Sequence, residues 1–115
     1  RVQKEYLTDF ALSHAGTELA VIGHSFGANS ALRMANNFAN AGLSVGYVAT
    51  LDATVKRRVH SQIRVADNFR SCDFRNKPIA GAAEHARNDL NHIQIDKDLK
   101  IHSIVVNACG KSDRL

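Results

Sequence analysis

Apolar residues along this chain recur in two rhythms, one suited to helices and one to buried strands. Val2, Tyr6, Phe10 and Ala11 fall at helical spacing between polar residues, which predicts an opening helix over 2–15 that Gly16 stops. Leu19, Ala20, Val21 and Ile22 then run without interruption into Gly23, the pattern of a parallel strand covered on both faces. From 28 to 41, Ala28, Ala31, Leu32, Ala35, Phe38 and Ala39 make one stripe opposite Asn29, Arg33, Asn36, Asn37 and Asn40, a second helix capped by Gly42. Positions 45–51 read as another buried strand, and a connection through the intervening helix makes it a right-handed parallel neighbour of the first. Ile63, Val65 and Phe69 alternate with polar residues, predicting a third, less buried strand over 63–69. A loop is expected over 76–81, around the only proline. Beyond a polar stretch ending in Asn91 and His92, Asp96 can cap a last helix over 97–109, with Leu99, Ile104, Val105 and Ala108 facing inward and Gly110 ending it. This order predicts an α/β domain over 1–115 built on an open, mostly parallel, doubly wound sheet. Ligand sites of such sheets lie beyond the carboxyl ends of the strands.

Composition changes that picture little. The 115 residues are 44% hydrophobic and 23% charged, as in an ordinary globular α/β chain. The net charge of +4 invites thoughts of nucleic acid, but the charges are scattered. Only Lys56, Arg57 and Arg58 form a run, and no aromatic residue interleaves them, so a solvated loop is expected and no nucleic-acid partner. No apolar run approaches the roughly 18 residues needed to cross a bilayer, so no transmembrane segment is expected. The chain starts at Arg1 rather than Met, and no cleavable signal pattern opens it. Cys72 and Cys109 match neither a zinc-ligand spacing nor a C-x-x-C pair and read as plain thiols.

The candidate chemistry is concentrated at Gly23-His24-Ser25-Phe26-Gly27, a G-x-S-x-G pentapeptide over 23–27. A random match arises in about 4% of chains this long, so the pentapeptide alone is weak. Its placement adds specificity: it directly follows a buried strand and directly precedes an amphipathic helix. A serine on so tight a turn is held in a strained conformation that lifts its hydroxyl clear of the sheet edge, while close backbone approach leaves no room for a Cβ at Gly23 and Gly27. The helix beginning near Phe26 aims N–H groups and its positive dipole end at the hydroxyl, which suits an oxyanion, with the Phe26 N–H as one donor.

On these residues the chain resembles the α/β-hydrolase superfamily, especially its lipase, esterase and thioesterase branches. Thr50-Leu51-Asp52, at the end of the next strand, is similar to the acid position of lipase-like members, and Asn91-His92-Ile93 to their histidine loop, here 91–95. The order Ser, Asp, His is also that of the superfamily. The resemblance implies a serine hydrolase cleaving carboxylic esters or thioesters through an acyl-enzyme, with Ser25 as nucleophile, His92 as base and Asp52 as the orienting acid. It implies no cofactor, no metal, and a small-molecule or lipid acyl substrate. Members of the family carry several strands ahead of the elbow, and a loop there gives the second oxyanion N–H. That pattern is not found here, so the chain is expected to be the C-terminal half of such a domain.

Rival assignments stay open at this point. Asp73, just after the third strand, competes with Asp52 for the acid role, whereas Asp67 lies inside a strand pattern. His102 competes with His92 but falls inside the last predicted helix, while His92 sits in a polar loop free to approach Ser25. His24 is expected to pack beside the elbow, pointing away from Ser25, and His14, His60 and His85 to be surface residues. His85 and His92 are seven apart, without the i, i+4 pairing of a zinc face. The same triad serves acyltransferases, and a hydrolase-like domain without its oxyanion loop can act as a binding module.

Overall fold

The computed structural model describes residues 10–15, 18–73 and 75–113, with side chains over 19–73 and 75–108. Its core is a five-stranded sheet in the order β1-β2-β3-β5-β7, formed by β1 (Phe10–Ala15), β2 (Glu18–His24), β3 (Ser44–Leu51), β5 (Val65–Arg70) and β7 (Ala83–Ala86). The pairings β2–β3, β3–β5 and β5–β7 are parallel, and β1 is antiparallel to β2. Two-residue strands β4 (Arg57–Arg58) and β6 (Ile79–Ala80) pair beside this sheet. Helix α1 (Phe26–Asn40) joins β2 to β3, and a 3-10 turn (Gln94–Lys97) leads into α2 (Leu99–Asp113).

Each helix packs on its own apolar cluster. Ala28, Ala31, Leu32, Ala35 and Ala39 of α1 are buried with Val21, Val45, Val48 and Ala66. Ile101 and Val105 of α2 are buried with Ala20, Tyr47, Ala49, Leu51, Phe69 and Ile95. Because side chains alternate across a strand, Val48 and its neighbours Tyr47 and Ala49 feed opposite clusters, which is why β3 is buried along nearly its whole length. The small residues along α1 let the helix axis lie close to the sheet. At its end Gly42 takes φ +88°, its N–H bonds the Ala39 carbonyl at 3.0 Å, and the Leu43 N–H bonds the Phe38 carbonyl at 2.9 Å, a Schellman ending.

Several expectations are corrected. Residues 10–15 form a strand rather than the end of an opening helix; Val2 and Tyr6 lie outside the described residues. Only two residues separate β1 from β2, a spacing that permits antiparallel neighbours, and the ladder from Phe10–Gly23 to Ala15–Glu18 outweighs the sparse helical periodicity. The third strand begins at Val65, and it is interior rather than lightly buried: Ala66 packs in the α1 cluster and Phe69 in the α2 cluster, while β7, which carries no apolar signal, pairs along its far edge. The basic run is in part a strand, β4, although both arginines are exposed. Within the expected loop at 76–81, Ile79 and Ala80 form β6.

In α2 the inward residues are Ile101, Val105 and Ala108, whereas Leu99 is 81% exposed and Ile104 is also exposed. The helix starts two residues later than expected and runs past Gly110 to Asp113. Its cap is Asp98, whose carboxylate accepts the Ile101 N–H at 3.0 Å; Asp96 falls within the 3-10 turn. No helix among the described residues is long and apolar enough to cross a membrane.

Candidate functional site

Register brings the polar ends of the strands together. In the parallel ladder His24 lies opposite Leu51, and Leu51 opposite Phe69, so the residues that follow, Ser25, Asp52 and Arg70-Ser71, leave the carboxyl edge side by side. Backbone bonds fasten two of these exits: the Ser25 N–H to the Leu51 carbonyl and the Asp52 N–H to the Phe69 carbonyl, each at 2.8 Å.

Both residues turn sharply there, in the left-handed region. Ser25 has φ 61° and ψ −123°, and Asp52 has φ 54°. Aspartate tolerates this region, but for serine the conformation costs on the order of 1–3 kcal/mol, which surrounding packing must sustain. Part of that packing is Gly23, where a Cβ would stand 2.1 Å from the Gly27 carbonyl oxygen. Serine at a helix start ordinarily caps it with its hydroxyl. Here no side-chain cap bond forms, because the Ser25 hydroxyl is turned instead to His92.

Ser25 Oγ lies 3.0 Å from His92 Nε2, and His92 Nδ1 lies 2.7 Å from Asp52 Oδ2. A carboxylate only accepts, so Nδ1 carries the proton donated to Asp52, and Nε2 of the neutral ring is left to accept the Ser25 O–H. Asp52 is 1% exposed, and four donors surround its two oxygens. Besides His92 these are the Ser71 N–H at 2.6 Å, the Ser71 hydroxyl, and Asn76 Nδ2 at 3.1 Å. A buried charge is tolerable only when satisfied in this way.

Asp73 takes no part in that chain. Its Oδ1 accepts the Arg75 N–H at 2.8 Å, and its own N–H bonds the Ser71 hydroxyl. His102 is also elsewhere, exposed on α2 with its ring nitrogen 2.6 Å from the Asp96 carbonyl. Phe26 begins α1 beside Ser25 and is 60% exposed, and Gly27 is buried behind it.

The sequence reading missed the supports of this arrangement. Ser71 and Asn76 hold Asp52, and Asn76 also bonds the Ser71 carbonyl at 2.9 Å. No motif marks either residue, yet parallel register alone places Ser71 beside Asp52. His24 does more than fill space: its Nε2–H donates to the His92 carbonyl at 2.8 Å, and the two rings lie 4.7 Å apart. Asn29, read as part of a polar face, bonds Thr54 twice and ties α1 to the segment after β3. His85, expected at the surface, is half-buried, bonds Asp67 at 2.8 Å and stacks on Phe69. Cys72 is an exposed free thiol; the side chain of Cys109 lies outside the described residues, as does that of His14.

A cleft of about 550 Å³ opens over Ser25 and His92, walled by Phe26, Thr54, Asp73, Arg75, Asn76 and Lys77. Its size falls in the range of small-molecule sites. In comparisons with protein-family models, curated proteins and solved structures, the chain matches none.

Proposed function

We propose that this chain is a serine hydrolase of the α/β-hydrolase type that cleaves carboxylic esters or thioesters. The observation that carries the reading is the relay Ser25–His92–Asp52 ending on a serine with positive φ, a conformation that serves no cap. In this reading His92 Nε2 takes the Ser25 proton as Oγ attacks the acyl carbon, and Asp52 stabilises the imidazolium that results. The Phe26 N–H, at the positive end of the α1 dipole, is the proposed donor to the oxyanion. Collapse of the intermediate expels the alcohol or thiol, which leaves with the proton from His92, and water repeats the cycle on the acyl-enzyme. An acceptor other than water would make the same chemistry acyl transfer.

The test is turnover of p-nitrophenyl butyrate by the chain and by Ser25→Ala. The variant should keep its fold, by circular dichroism, and lose at least about 10⁴-fold in kcat. Wild-type turnover in Ser25→Ala would end the covalent mechanism.

A further inference from the structure

Resting on the reading of Ser25 as the nucleophile, we propose that His24 is a positioning residue of the relay, its ring N–H holding the backbone of His92 so that the His92 side chain stays within reach of Ser25. Alternation along β2 puts His24 on the sheet face that also carries Ala20 and Ile22, the face covered by α2. The turn bearing His92 docks on that same face, since Ile95 is fully buried in the same cluster. There His24 Nε2 lies 2.8 Å from the His92 carbonyl, and the two rings lie 4.7 Å apart with 31° between their planes. A carbonyl only accepts, so Nε2 carries the proton.

The turn is tightly knit, but mainly to itself. The Asn91 side chain accepts the Ile93 N–H at 3.0 Å and the Gln94 N–H at 2.8 Å, and the Gln94 side chain accepts the Asn91 N–H at 2.9 Å. The Ile95 N–H bonds the Asn91 carbonyl at 3.0 Å. This reciprocal cap fixes the shape of 91–95 without fixing its seat on the sheet. The seat is set by Ile95 in the core, by the Cys72 N–H on the Leu90 carbonyl at 2.8 Å, and by His24. Of these, the His24 bond is the one that grips the backbone of His92 itself. Asn91, Ile93 and Gln94 are exposed, so a turn without that grip has room to lift from the strand end. Asp52 holds the His92 ring through Nδ1 at 2.7 Å, so the 3.0 Å from Nε2 to Ser25 Oγ follows from two anchors, one on the backbone and one on the ring. His24 directly precedes Ser25 and pairs with Leu51 at the end of β2. One strand end thereby places both the nucleophile and the base.

The experiment separates the donor from the ring. His24→Phe keeps an aromatic ring without the donor, His24→Gln keeps an amide donor near the place of Nε2 without the ring, and His24→Leu keeps neither. With p-nitrophenyl butyrate, His24→Phe and His24→Leu should lose about 10- to 100-fold in kcat with KM little changed, and His24→Gln should recover most of that loss. Circular dichroism checks the fold of each, and His24→Phe, the closest in shape, guards against a loss that is only unfolding. Wild-type kcat in His24→Phe, or a loss in His24→Gln as deep as in His24→Leu, overturns the proposal. Proton NMR decides the same point without turnover. The His92 Nδ1–H, identified by its absence from His92→Gln, should give a downfield resonance that persists in His24→Gln and broadens through solvent exchange in His24→Phe. A resonance unchanged in His24→Phe contradicts the positioning role. A resonance that depends on His24 in a chain that cleaves no ester supports the anchoring of His92 and counts against the hydrolase reading alone.

Discussion

At the scale of single residues, three aspartates that look alike in the sequence have different partners: Asp52 meets His92, Asp67 meets His85, and Asp73 accepts the Arg75 N–H. Only Asp52 meets His92, and its bond to Nδ1 selects the tautomer whose Nε2 can take a proton. Asp52→Asn should therefore lower kcat by about 10⁴, since an amide in that place favours the wrong tautomer, while Asp73→Asn costs far less. Parallel measurements of ester turnover decide it, and a larger loss in Asp73→Asn would move the acid. His102→Ala should keep the wild-type rate, because its ring is bonded to the Asp96 carbonyl in the 3-10 turn ahead of α2. Loss of activity in His102→Ala with none in His92→Ala would reverse the assignment. Ser25, His92 and Asp52 were legible because each sits beside a strong local signal: a pentapeptide, a polar loop, the end of an apolar run. Ser71 and Asn76 were not, since Ser71 arrives through register between strands and Asn76 through side-chain bonds from a loop, and nothing in their neighbours' spacing announces either.

Among the elements, α1, β2 and β3 could be read almost to the residue, because an uninterrupted apolar run and a one-sided stripe each carry a single period. β1 and β7 could not. Six residues such as Phe10–Ala15 hold too few apolar positions to separate the two periods, and Ala83–Ala86 has an exposed pattern that earns its place only by pairing with β5. The turn between β2 and α1 depends on the bare Cα of Gly23. Gly23→Ala should destabilise by more than about 2 kcal/mol, above the typical ~1 kcal/mol of a point substitution, because the clash is with backbone at 2.1 Å. A denaturant midpoint equal to wild type would contradict that. The start of α2 depends on Asp98, which caps the helix and pairs with Arg87 at 2.7 Å. The Arg87 guanidinium, followed by the Ile101 N–H, holds the Asp98 carboxyl below its ordinary range. A depressed carboxyl contributes stability that is complete above its unfolded value and is lost as pH falls through the folded one. Asp98→Ala should accordingly lower Tm by a few degrees near neutrality, and the gap from wild type should close in strong acid. A gap that widens in acid would show the sign to be wrong.

For the whole molecule, the chain order of helices and strands announced a mostly parallel sheet between helices, with chemistry at its carboxyl edge. What no one-dimensional pattern could supply was register, and register is what sets Ser25, Asp52 and Ser71 side by side. Charge is dispersed at this scale: Arg87 is paired with Asp89 and Asp98, Arg70 with Glu84, and the exposed Arg57 and Arg58 stand on a two-residue strand. The net charge of +4 should therefore give no detectable complex with duplex DNA at micromolar protein and physiological salt. A filter-bound complex that weakens steeply with salt would reopen that question. The central claim, that the fold exists to present an activated Ser25, is tested most directly by treating the chain with a fluorophosphonate and locating the adduct by peptide mass spectrometry. A single phosphonylated site at Ser25, lost in Ser25→Ala and strongly slowed in His92→Ala, is the predicted result; labelling at another residue, or labelling of Ser25 at an unchanged rate without His92, would contradict it.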